Sequence, residues 1–198
     1  ASGGEMVLSG QNIVMANSQQ QGADGLISAE SLTLDVKNEG GSIGTDETAL
    51  RVKSDTDITF ADDVVKSVNI EGRGTADFVI ADTITATDGV KLAADGSLVV
   101  KSNVSGNTVG MTAKTGSLTA NTTVKGTESL NLRASQNVDV SGTTLTGGSV
   151  DLNAGKALVA SGATVKGSTL TATAGAGNAA FDRATVKTTG SSTIAAGG

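Results

Sequence analysis

Apolar residues return to the same place in this chain every 20 positions, and few folds can satisfy that rule. Ile58, Phe78, Leu98, Leu118, Val138 and Leu158 stand 20 apart, and Phe60, Ile80, Val100, Ala120, Val140 and Ala160 keep the same step two residues later. The residue between the members of each pair (Thr59, Val79, Val99, Thr119, Asp139 or Val159) need not be apolar. In-out-in alternation marks a strand with one face in a core. A second ladder runs ten residues out of phase, through Leu50 and Val52, Ile70, Val90 and Leu92, Val109 and Met111, Leu130 and Leu132, Val150 and Leu152, to Leu170 and Ala172. A third joins Val64, Ile84, Val104 and Val124 and continues one residue late as Leu145, Val165 and Val186. A chain that revisits one core position every 20 residues through three short strands is a coil of stacked turns. The expected fold is therefore all-β, a parallel β-helix, right-handed by the general preference of parallel crossovers.

An unbroken repeat predicts one rod over residues 1–198, with irregular turns in 1–45, regular 20-residue repeats in 46–174 and an irregular last turn in 175–198. A 20-residue step predicts about ten turns and a rod of roughly 45 to 50 Å at the spacing of neighbouring strands. It also places Ile58 and Phe60 under Phe78 and Ile80, and Gly72 between Val52 and Leu92. Phe181 is expected to replace the small Ala160 with a slip of one residue. Inward Val138 predicts that Val138→Asp is strongly destabilising, because it buries an unpaired charge. Outward Asp139 predicts that Asp139→Val costs little.

Composition removes several kinds of chemistry. Cysteine, histidine, tryptophan and tyrosine are absent, and Phe60, Phe78 and Phe181 are the only aromatics. Disulfides, thiolate metal sites and the usual general base are thereby excluded, and platforms for stacking sugars or bases are scarce. A net charge of −6 without a basic cluster argues against nucleic acid and anionic membrane surfaces as partners. No run approaches the length of a membrane helix, so no membrane insertion is expected, and an export signal would have to lie outside these residues. Asp57 is expected to stack on Asp77 and Asp62 on Asp82, an acidic face that is either solvated or able to hold a hard cation such as calcium. The solvated reading is preferred, and no metal ligand is assigned. Thr123, Thr144, Thr164 and Thr185 recur at spacings of 21, 20 and 21, and are expected to form an outward file. A flat water-ordering face would need a second such file, and Thr146 does not repeat. Threonine is a favourable exposed strand residue in any case.

Residues 97–174 carry a family likeness in segments such as "SLNLRAS", "SVDLNAG" and "ALVASGATVKG". These resemble the repeats of filamentous-haemagglutinin-type exoproteins, the long shafts of two-partner-secreted adhesins and contact-dependent growth-inhibition proteins. The resemblance implies an extracellular or bacterial cell-surface location and a rod or shaft role, with receptor binding carried by loops or by other regions. Its implied partners are neighbouring β-helix segments or subunits end to end, and a receptor on a host or bacterial surface. One alternative is a self-assembling filament subunit stacking end to end. Another is a polysaccharide-active β-helix enzyme using two of Asp57, Asp62, Asp77 and Asp82 as paired carboxyls. Turns of a few small residues leave no loops to wall a substrate groove. The expectation is a non-enzyme with no catalytic residue, cofactor or metal.

Overall fold

A computed structural model describes residues 77–80, 83–86 and 88–198 throughout, together with the strand segments 26–27, 31–37, 49–52, 58–60 and 67–73. The fold is a β-solenoid: every strand pairing is parallel, the strands stack in about six coils of about 20 residues, and the described residues contain no helix. The early strands are β1 (Leu26–Ile27), β2 (Ser31–Lys37), β3 (Ala49–Val52), β4 (Ile58–Phe60) and β5 (Ser67–Arg73). The next coil contains β6 (Asp77–Ile80), β7 (Ile84–Thr85), β8 (Gly89–Ala94) and β9 (Leu98–Val100). Above it a long strand alternates with a short one: β10 (Val104–Ala113) and β11 (Leu118–Ala120), β12 (Thr123–Ala134) and β13 (Val138–Asp139), β14 (Thr144–Ala154) and β15 (Leu158–Val159), β16 (Thr164–Ala174) and β17 (Ala179–Ala180). The last coil closes with β18 (Thr185–Thr188) and β19 (Ser192–Ala196).

Each coil has three flat segments, and a glycine at one corner decides whether two of them read as a single strand. Gly106, Gly126, Gly147 and Gly167 lie in register, one above another, where the long strands bend. The bend leaves no room for a side chain. A Cβ on Gly147 would meet the Ser149 carbonyl oxygen at 2.7 Å, and one on Gly167 would meet the Gly147 oxygen at 2.5 Å. Without side chains the coils approach closely enough for pairing to resume past the corner, after a register shift beside Gly106 and Gly126.

The inward files predicted from residue 78 onward are present. Phe78, Leu98, Leu118, Val138 and Leu158 pair in succession, and all five are buried. Val90, Val109, Leu130, Val150 and Leu170 form a second file, and Ile84, Val104, Val124, Leu145 and Val165 a third. Volume is balanced between levels: Ala172 lies between Leu152 and Ile194, and Phe181 packs against the core above Ala160 with the predicted slip. Large and small residues exchanging places from level to level keep the core filled.

The shift of the third file from Val124 to Leu145 has a local cause. The corner is three residues in Asn121-Thr122-Thr123 and four in Ser141-Gly142-Thr143-Thr144, Ser161-Gly162-Ala163-Thr164 and Asp182-Arg183-Ala184-Thr185. Each four-residue corner is closed by a backbone hydrogen bond: Thr143 N–H donates to the Val140 carbonyl at 3.2 Å, Ala163 N–H to Ala160 at 3.1 Å and Ala184 N–H to Phe181 at 3.0 Å. The third turn residue is left-handed in every case, with φ of 68° at Gly142, 68° at Gly162 and 55° at Arg183. A type II turn demands that conformation at that position.

Below residue 77 the 20-residue step fails. Leu50 pairs with Phe78 and Val52 with Ile80, so the place expected for Ile58 and Phe60 is taken. Ile58 pairs instead with Ile84. Gly72 pairs with Val36 and Ala94, and Ile70, not Gly72, lies beside Leu92. Among the described residues, eight strands line up from β1 through β4, β7, β10, β12, β14 and β16 to β18. In a parallel solenoid the register is set by which apolar pairs meet, and a connection can lengthen without disturbing them.

Candidate functional site

Chemistry on this molecule must come from the outward positions, the corners and the clefts between coils, since the inward positions are filled by apolar side chains. Of the four predicted acidic positions, Asp77 is exposed and pairs in register with Ala49, so it does not stack on Asp57. Asp57, Asp62 and Asp82 lie outside the described residues. No group of three or more carboxylates able to hold a metal ion occurs among the described residues.

The predicted threonine file is present. Thr123, Thr144, Thr164 and Thr185 are direct register partners on the outer face of β12, β14, β16 and β18. Two residues along each strand a second outward file runs Ser105, Lys125, Thr146, Lys166, Lys187. The threonine periodicity alone did not reveal this file. The signal was the Thr-x-Lys pattern in Thr123-Val124-Lys125, Thr164-Val165-Lys166 and Thr185-Val186-Lys187, interrupted at Thr146. On the part of these four strands that precedes the glycine corner, the outward positions are threonine or lysine. The alternation of the two files follows from the two-residue period of a strand.

The clefts among the described residues include two near corners of the coil. One, about 310 Å³, runs along a corner lined by Thr112, Lys114, Arg133, Ser135, Asn153 and Gly155. Lys114 at its edge is 2.9 Å from the Asp95 carboxylate, both partly exposed. The second, about 200 Å³, is lined by Ala86, Ser105, Gly106, Asn107, Lys125 and Thr127 beside the bulge that β12 makes between Gly126 and Ser129. Neither lining includes a carboxylate, so neither meets the paired-acid geometry of a glycosidase.

Side-chain oxygens at another corner act on the backbone. Ser97 Oγ accepts from Ser117 N–H and Ser117 Oγ from Asn137 N–H, both at 3.3 Å, and Asn137 Oδ1 accepts from Ala157 N–H at 3.1 Å. These residues link successive coils where the chain turns too sharply for a regular ladder. No helix among the described residues is long and apolar enough to cross a membrane. In comparisons with known proteins, no family model, curated protein or solved structure matches the chain.

Proposed function

We propose that this chain is a structural rod, a shaft segment of the kind built into bacterial secreted or surface-exposed adhesin-type exoproteins, which acts through length and stiffness and without catalysis. The observation that supports this reading best is the constancy of the cross-section from β10 to β17. The same inward files run through every level, and the outward positions of the long strands carry mostly serine, threonine, asparagine and lysine. Each coil contacts only its neighbours, so stiffness accumulates with length while no single coil carries a specialised site. The likeness of residues 97–174 to filamentous-haemagglutinin-type repeats supports an extracellular or cell-surface location, with receptor binding borne by loops or by other regions.

The test is to display the chain between a surface anchor and a terminal binding tag and to measure capture of the tag's ligand by whole cells. Capture should fall when residues 105–184 are removed and should be unchanged by Thr123→Ser, Thr144→Ser and Thr164→Ser together. Loss of capture in the threonine variant, or full capture after the deletion, would overturn the spacer reading.

A second reading is a filament subunit stacking end to end, since a parallel stack of coils can be extended by any coil of matching cross-section. Growth of light scattering with concentration, with fibres seen by electron microscopy, would select this reading over the isolated shaft.

A further inference from the structure

One corner of the coil departs from the plain surface of the rest. Thr112, Arg133 and Asn153 are consecutive register partners near the ends of β10, β12 and β14. Each precedes a buried alanine, so the three side chains form one short outward file. Successive coils stand about 4.8 Å apart, which puts a hydroxyl one coil below the Arg133 guanidinium and an amide one coil above it. The same file carries Ala93 and Thr173 in the flanking coils, so the arginine is not a feature of the repeat.

Three successive coils each bring a cation to this corner: Lys114 directly after β10, Arg133 in β12 and Lys156 two residues after β14. All three are exposed. Asp95, on the coil below, is bonded to Lys114, and Asp151 pairs in register with Asn131 outside the cleft. The side chains of Thr112, Arg133, Ser135 and Asn153 make no hydrogen bond or ion pair with a described residue. The corner is also concave. Its cleft of about 310 Å³ stands at the small end of the range for ligand sites, about 300 to 1,000 Å³. Ala113, Ala134 and the stems of Lys114 and Arg133 give it an apolar part beside the donors. The cleft at Lys125, about 200 Å³, has one cation in its lining.

We propose that this corner binds a small organic phosphate or sulfate monoester, its tetrahedral oxyanion held by Arg133 and its carbon part laid over the apolar stems. The guanidinium presents a planar fork of donors that matches two oxygens of such a group, and charge-assisted bonds of this kind are the strong ones. Thr112 Oγ1, Ser135 Oγ and the Asn153 amide can donate to the remaining oxygens. The apolar part of the cleft favours an ester over the bare ion. The site belongs to no one coil, since it needs three in register, and it stands whether or not the rod is a shaft.

NMR titration of the full chain with propyl phosphate and with propyl sulfate tests it, with inorganic phosphate and sulfate as separate arms at matched ionic strength. Saturable shifts are expected at the amides of residues 112–114, 133–135 and 153–155 and at Arg133 Nε–H. The tighter of the two esters identifies the anion, and it should bind about tenfold more tightly than its inorganic ion. Arg133→Gln should weaken that binding at least about tenfold and melt at the temperature of the parent, because its side chain holds no described neighbour. Should that variant fail to fold, Asn153→Ala should weaken binding in the same direction. Lys125→Gln, on another face, should leave binding unchanged. Shifts that grow without saturating, shifts of equal size at Lys125, Lys166 and Lys187, an inorganic ion that binds as well as its ester, or parental affinity in Arg133→Gln would each overturn the proposal.

Discussion

Adjacent residues on one strand and its corner carry very different amounts of stability. Val138 is fully buried, so Val138→Asp places a charge with no partner among aliphatic side chains, and loss of the folded state is expected. Asp139 points outward as predicted, but its Oδ1 accepts from Ser141 N–H at 3.0 Å and from Ser141 Oγ at 2.7 Å and so holds the corner that Gly142 turns. Asp139→Val therefore costs about 1 kcal/mol, more than its exposure alone suggests. Arg183 occupies the left-handed place that glycine takes in the two coils before it. Removing the side-chain strain by Arg183→Gly should raise stability by about 1 kcal/mol, and Gly142→Ala should lower it by a similar amount. The alanine Cβ at 142 meets nothing within 4 Å, so backbone conformation alone is measured there. Chemical denaturation of the four variants reads all of these changes.

Among the elements, the long strands depend on their bend. A Cβ on Gly126 would fall within van der Waals contact of the Ser129 carbonyl oxygen, whereas one on Gly110, an outward position in β10, meets nothing. Gly126→Ala is expected to destabilise by several kcal/mol, about the cost of overpacking a rigid site, because backbone on both sides must move. Gly110→Ala should be neutral or stabilising by up to about 1 kcal/mol, since a strand position is freed of glycine's conformational entropy. Thermal melts of the pair decide it: equal shifts would show that the bend tolerates a side chain. The same corner logic explains Thr143, which is buried yet satisfied: its Oγ1 donates to the Val140 carbonyl at 2.5 Å.

For the whole molecule, near-identical cross-sections from β12 to β17 mean that a complete coil is removable. Deleting residues 145–164 joins Thr144 to Val165, which pairs with the same neighbours as Leu145, and a single cooperative melt should survive. Deleting residues 145–154 removes one long strand and leaves its short partner, so the inward files of neighbouring coils no longer meet. That variant should lose the β signal in circular dichroism well below the melting temperature of the parent. If both deletions behave alike, the coils are not the unit of stability.

The apolar spacing was enough to specify a stacked parallel coil, because buried files must repeat with the coil and a strand shows its two faces in alternation. Phe78 through Leu158, the threonine file and the late step to Leu145 were all legible in that way. The register of the early strands was not, since Leu50 and Ile58 both offered apolar partners to the coil above and only packing chose Leu50 for Phe78. Nor could spacing show that Gly126 bends a strand without ending it. That depends on contacts between coils, which linear order does not contain until the connections have taken their lengths.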